Sequence, residues 1–161
     1  MYLVFQYLKY IVALTLIWIV AYGWSTYGCH KVPTGHMEPV LDKNSYTTYR
    51  KSPNDISGIE RGDIVLFDRH LRAEGRSITS LTGRVIGRPG DRLRMRNGTL
   101  IRNGRERPEP YLQETYPDLS FPLVVVPKNH LYVLADNRTE EELDSRSFGP
   151  IPVYTVVGSL Q

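Results

Sequence analysis

Cysteine is almost missing from this 161-residue chain: Cys29 stands alone, so no internal disulfide can form and the fold must rest on its core. Long basic runs are missing too. The 20 Lys and Arg residues are nearly matched by 17 Asp and Glu, and no five of them adjoin, so a pI near 9.0 is no polyanion signature and nucleic acid is excluded as a partner class. Charge is scarcest at the start, where Lys9 is the only charged residue before Lys31. No internal repeat or long low-complexity tract interrupts the chain. With the apolar start set aside, about 130 residues remain, enough for one sizeable core and not for two.

What is there first is a long apolar run. Leu3 to Gly23 reads LVFQYLKYIVALTLIWIVAYG, with Gln6 and Lys9 toward one end and Trp18, Tyr22, Trp24 and Tyr27 crowding the other. That length spans a bilayer, amphipathic rings favour its boundary, and Lys9 can snorkel to the near side. The alternative, a cleaved signal, is less well matched, because the basic start is almost missing and no A-x-A pattern follows the apolar run. The reading is a single-pass anchor and interfacial segment over 1–29, followed by one β domain over 30–161. Cys29 is read as an ordinary thiol near the interface.

After His30 short apolar runs alternate with Gly, Pro, Asn and Asp, the punctuation of antiparallel β structure. Strands are expected at Ile64–Phe67, Arg84–Ile86, Arg92–Met95, Thr99–Ile101, Leu123–Val126, Leu131–Leu134 and Val153–Val157. Such a set predicts a mostly β fold, an antiparallel barrel or sandwich. Asn97-Gly98 and Asn103-Gly104 are tight-turn signals. Pro108, Pro110, Pro117 and Pro122 point to an irregular excursion over 105–122. Gly87-Arg-Pro-Gly90 lacks the Gly-Lys-Ser/Thr of a phosphate loop and reads as a β-turn.

Four segments carry a resemblance: Pro33-Thr-Gly-His-Met-Glu-Pro39, Arg61-Gly-Asp-Ile64, Gly83-Arg-Val-Ile-Gly-Arg-Pro-Gly-Asp91, and Ala135-Asp-Asn-Arg138 through Asp144-Ser-Arg146. In order and spacing they resemble the motifs of bacterial type I signal peptidases. The resemblance implies an antiparallel β domain of that type, held outside the cytoplasm close to the cytoplasmic membrane, and a serine endopeptidase ancestry in which a lysine kept neutral by desolvation activates a serine. It places the nucleophile at His36 and the general base at Gly83, so both catalytic positions are substituted. It places an oxyanion-hole hydroxyl at Thr34, beside the backbone N–H of His36. Thr139 to Leu143 separates Arg138 from Asp144 by five residues where the family has four including an orienting serine. Nucleophile, base and orienter are thus lost together, a combination that argues for an inactive site.

Other expectations follow from the same resemblance. An extended peptide docks as an added strand between Lys31–Thr34 and Ser80–Gly83, with Val32, Pro33, Ser80, Leu81 and Thr82 as its binding residues. Asp136, Asn137, Arg138, Asp144, Ser145 and Arg146 are structural supports of the site loop. Glu140, Glu141 and Glu142 are read as solvated charge; with four histidines in the chain no metal site emerges from spacing, and no cofactor is expected. The leading functional expectation is a non-cleaving homologue, similar to signal-peptidase-like pilin chaperones, that holds an exported or membrane-tethered polypeptide; active peptidase or sortase-type partners would go with it. The alternatives are a functional signal peptidase I that cleaves leader peptides, and a scaffold subunit of a membrane assembly.

Overall fold

The computed structural model describes residues 2–51, 57–73, 76–139 and 143–160; the Glu140–Glu142 run lies outside them. Helix α1 (Tyr2–Thr26) is 25 residues long, about 38 Å at 1.5 Å per residue and more than a bilayer's apolar core requires. Its Tyr7–Thr26 stretch is not buried against the rest of the protein, so its apolar surface on every side is matched only by lipid. The hydroxyls of Thr15, Ser25 and Thr26 donate back to Val12 or Tyr22 carbonyls, which leaves none of them unsatisfied in hydrocarbon. At the far end Lys51 Nζ donates to the Trp24 carbonyl at 2.9 Å, a cation on the orphan acceptors of a helix C-terminus.

Eleven strands follow: β1 (Tyr27–Lys31), β2 (Tyr46–Lys51), β3 (Ile64–Ala73), β4 (Arg76–Gly87), β5 (Arg92–Arg96), β6 (Thr99–Arg102), β7 (Arg105–Arg107), β8 (Phe121–Val125), β9 (His130–Leu134), β10 (Ile151–Pro152) and β11 (Val156–Leu160). They form a seven-stranded sheet in the order β1-β2-β11-β3-β4-β9-β10 and a four-stranded sheet in the order β7-β6-β5-β8, with every pairing antiparallel. The domain is sandwich-like and not a closed barrel. Helix α2 (Ser145–Phe148) is one turn between β9 and β10.

Period-two alternation in β9 builds both cores. Leu131 and Val133 join Phe67, Leu81 and Val85 in one cluster, while Tyr132 and Leu134 face the other way and join Ile86, Leu93, Met95 and Leu100 between the two sheets. Asn97 (φ 48°) and Gly98 (φ 77°) make the β5–β6 turn, and Asn103 (φ 55°) and Gly104 (φ 78°) the β6–β7 turn, as their sequence predicts.

Two expectations need correction. Val153–Thr155 is a 3₁₀ turn, and the last strand starts at Val156, where Gly158 lets the Arg50 backbone approach: a Cβ there would meet the Arg50 oxygen at 2.2 Å. Arg105–Arg107 is paired with β6, so the excursion narrows to 108–120. The sheet itself begins at Tyr27, directly after the helix.

Candidate functional site

The site lies where β4 changes partners. β3 pairs with β4 along most of its length, whereas β9 joins the opposite edge only at Arg84, Val85 and Gly87. Val85 exchanges backbone hydrogen bonds on the β3 side, with Asp63 and Gly62, so by alternation the N–H and C=O of Thr82 point to the other edge. Along Ser80–Gly83 that edge has no strand partner among the described residues.

His36 covers part of the gap. Its side chain is fully buried, its Nε2 lies 2.8 Å from the Thr82 carbonyl and 3.1 Å from the Thr82 hydroxyl, and its Nδ1 is hydrogen-bonded to the Thr34 hydroxyl. The pairing that satisfies every group has Nε2–H donating to the carbonyl and Nδ1 accepting from Thr34. Burial holds the His36 pKa below the ordinary histidine value, opposed by the Thr82 carbonyl and by Asp144 and Asp136, so the ring is neutral. The His36 carbonyl accepts from Asn137 N–H at 3.0 Å, which ties this loop to the segment after β9.

Gly83 faces the core. A Cβ there would stand 3.1 Å from Val133 Cβ, tighter than ordinary contact, and 3.4 Å from Phe67 Cε1 on the same apolar wall. Thr34 and Thr82 are buried, and Leu81 lies wholly in the cluster with Phe67 and Val133. Ser80 donates to Asp68 at 2.7 Å. Val32 is buried and its backbone is already spent on Ser45 and Asn44, at 2.9 and 2.8 Å; Pro33 has no N–H to offer. The two segments expected to flank a peptide therefore stand on either side of one imidazole, which bridges Thr34 to Thr82.

Behind them is a brace of paired charges. Arg84 binds both oxygens of Asp136, at 2.8 and 2.5 Å, donates to the Gly62 carbonyl and stacks over Tyr111. Arg138, buried, reaches Glu109 at 2.5 Å and the Ala135 carbonyl at 2.7 Å. Asp144 accepts from Ala135 N–H and pairs with Arg146 at 2.7 Å, while Arg146 also donates to the Arg138 carbonyl. The Ser145 hydroxyl accepts from Val133 N–H at 3.0 Å. Burial, then Glu109, pushes the Tyr111 phenol well above its usual range, so it remains a donor to Glu109. A second anchor holds the turn before β5: burial alone would raise the Asp91 pKa, but Arg61, the Arg88 amide and Asn103 together hold it below the usual carboxylate value. Among the described residues no group of three metal-ligating side chains converges.

The chain has known relatives. The family model for signal peptidase, peptidase S26, matches residues 4–161. The chain belongs to this family. It is 35% identical over 133 residues to signal peptidase I of Bacillus amyloliquefaciens, a match covering 76% of this chain and 66% of that one. Signal peptidase IB of Staphylococcus aureus strain N315 is 30% identical over 141 residues, covering 77% of this chain and 70% of the relative. In structure it is similar to a crystallised signal peptidase I from Enterococcus faecalis V583, with a TM-score of 0.54 and 30% identity over 66% of this chain and all of that one.

Sequence reasoning missed several residues of this signal peptidase homologue's site. Glu109 and Tyr111 come from the proline-interrupted excursion and carry no local signal. His30 lies on β1; its Nε2 is buried without a partner, and burial lowers its pKa against the opposing pull of Asp68. Arg84 lies within its motif, and the fold brings Asp136 to it as a partner.

Proposed function

We propose that this chain is a non-cleaving signal peptidase homologue that holds an extended polypeptide on the open edge of β4. The observation that carries the reading is position 36, a buried neutral imidazole with both nitrogens engaged where a hydroxyl nucleophile is needed, together with a position 83 that has no side chain to take a proton. Main-chain pairing needs neither lost group, because an incoming strand is read by backbone hydrogen bonds. In this reading His36 keeps the Thr82 carbonyl satisfied until a client N–H replaces it. The anchor crosses the cytoplasmic membrane with its N-terminus in the cytoplasm, and the β domain receives exported or membrane-tethered, pilin-like polypeptides on the extracytoplasmic side. The role is that of chaperone or scaffold in secretion or surface assembly, beside an active peptidase or a sortase-type partner.

The names of the relatives favour a second reading, a functional signal peptidase I that cleaves leader peptides. Its chemistry would come from a hydroxyl–imidazole pair at the matched motif, with Thr34 as nucleophile and His36 as base. One experiment separates the two: full-length protein in phosphatidylcholine nanodiscs is incubated with a precursor peptide, and binding and cleavage are followed together. Binding without cleavage, weakened by Thr82→Pro, is expected. Cleavage abolished by both Thr34→Ala and His36→Ala would establish the second reading instead, and neither binding nor cleavage would leave the domain a scaffold.

A further inference from the structure

The four-stranded sheet carries none of the expected site residues, yet its outer face is unusual. β5 alternates Arg92, Arg94 and Arg96 with buried Leu93 and Met95, so the three guanidiniums share one face at intervals of about 7 Å. Among the described residues none of the three has an ion-pair or hydrogen-bond partner for its side chain. Each like charge raises the free energy of its neighbours, where an ordinary surface would intersperse acids. The nearest acid on that face is Glu106, across Ile101 on β7. Apolar groups flank the stripe: Ile101 pairs with Arg94, Val125 pairs with Arg92, and Leu123 and Val125 are 51% and 55% exposed. The choice of base is one-sided as well, since residues 92–126 hold six arginines and no lysine. Arginine, with its planar fork, is the base enriched at interfaces and suited to carboxylates.

We propose that this face is a docking surface for an extended acidic polypeptide segment in which carboxylate and apolar side chains alternate. An extended chain repeats every second residue at about the spacing of the stripe, so successive carboxylates meet successive guanidiniums. Laid edge-on over the β5–β8 seam, such a segment turns its carboxylate row toward β5 and its apolar row toward β8, where it covers Leu123 and Val125, which a phosphate polymer leaves bare. Docking is on the face and not by strand addition at β8, because Pro122 and the bulge beside it guard that edge. A lipid surface is disfavoured by position. The chain leaves α1 into β1, and the core beneath this face involves β9, five strand steps or about 24 Å away along the sheet. The surface is independent of the β4 edge.

The test uses the full chain in phosphatidylcholine nanodiscs and a fluorescent octapeptide alternating Glu and Val, read by anisotropy. Arg92→Gln, Arg94→Gln and Arg96→Gln together weaken binding about tenfold, the sum expected of three exposed ion pairs, and raising salt from about 50 to about 300 mM does the same to the unmodified protein. Val125→Ser weakens it about threefold by removing apolar cover. Should the triple variant not fold, Arg94→Gln and Val125→Ser singly carry the test, and unchanged affinity in both overturns the proposal. Equal binding of inorganic polyphosphate overturns it in favour of a generic polyanion patch. Preferential, arginine-dependent binding to vesicles rich in phosphatidylglycerol overturns it in favour of lipid.

Discussion

Two sets of arginines in this molecule have opposite fates. Arg84, Arg138 and Arg146 are withdrawn from water behind the β4 edge, each on a carboxylate and each also donating to a backbone carbonyl. Arg92, Arg94 and Arg96 stand in a row on the other sheet with no such partner among the described residues. A guanidinium is desolvated at tolerable cost only when its donors are spent, which makes the first set a rigid frame. The second set, still hydrated, has its donors free for something else.

The sharpest way to break this contrast is to unpair the frame. Arg138→Ala leaves Glu109 buried without its cation, because the two side chains are only 1% and 6% exposed. Breaking a buried pair from one side costs about 3–5 kcal/mol, so thermal unfolding in detergent should fall by many degrees or the protein should fail to accumulate. Retention of the native midpoint would mean that the frame does not bear on stability.

Next in size is Gly83→Lys. Its first side-chain atom already crowds Val133 and Phe67, and overpacking a closed core costs about 1–3 kcal/mol before any charge is buried. Unfolding midpoints of Gly83→Ala and Gly83→Lys should step downward in that order.

His36→Ala comes third, and its effect depends on pH. It strands the Thr82 carbonyl and the Thr34 hydroxyl, an expected loss of about 1–3 kcal/mol at pH 7.5. Because the folded pKa of His36 is lowered, its unfolded form takes up a proton first, near 6.5. The stability contribution is therefore complete above about 6.5 and is lost as pH falls through the lower folded value. Asp91, also lowered, acts only below the usual carboxylate pKa, outside this window. His30 titrates in the same direction as His36, so the difference between the two proteins is the measure: the gap in midpoint should shrink as pH falls from about 7.5 to about 5.

How much of this could be read beforehand depended on distance along the chain. Asn97-Gly98 announces its turn because the positive φ is a property of those two residues. β1 (YGCHK) and β2 (YTTYRK) gave no apolar alternation, and they are strands because they pair with each other and, through β2, with β11. The strand expected at 153–157 has the right residue types, but Val153–Thr155 closes a 3₁₀ turn first and pairing starts only at Val156. At the site, the motifs located His36 and Gly83, whereas the partner that explains the imidazole, Thr82, lies 46 residues away. Glu109 is 29 residues from Arg138, in a segment whose composition says only that it is irregular.

The smallest expected effect completes the contrast. Replacing Arg92, Arg94 and Arg96 by Gln should change the unfolding midpoint little or raise it slightly, since exposed substitutions away from pairs and caps stay within about 0.5 kcal/mol each and mutual repulsion is relieved. The comparison is with Arg138→Ala under one buffer and detergent. A large loss on removing the stripe would mean that these arginines also serve the fold, through contacts to the excursion at 108–120 or to Glu106, and the division into frame and open surface would fail. A neutral or stabilising result, obtained in the same protein whose peptide affinity falls, assigns the stripe's free donors to recognition.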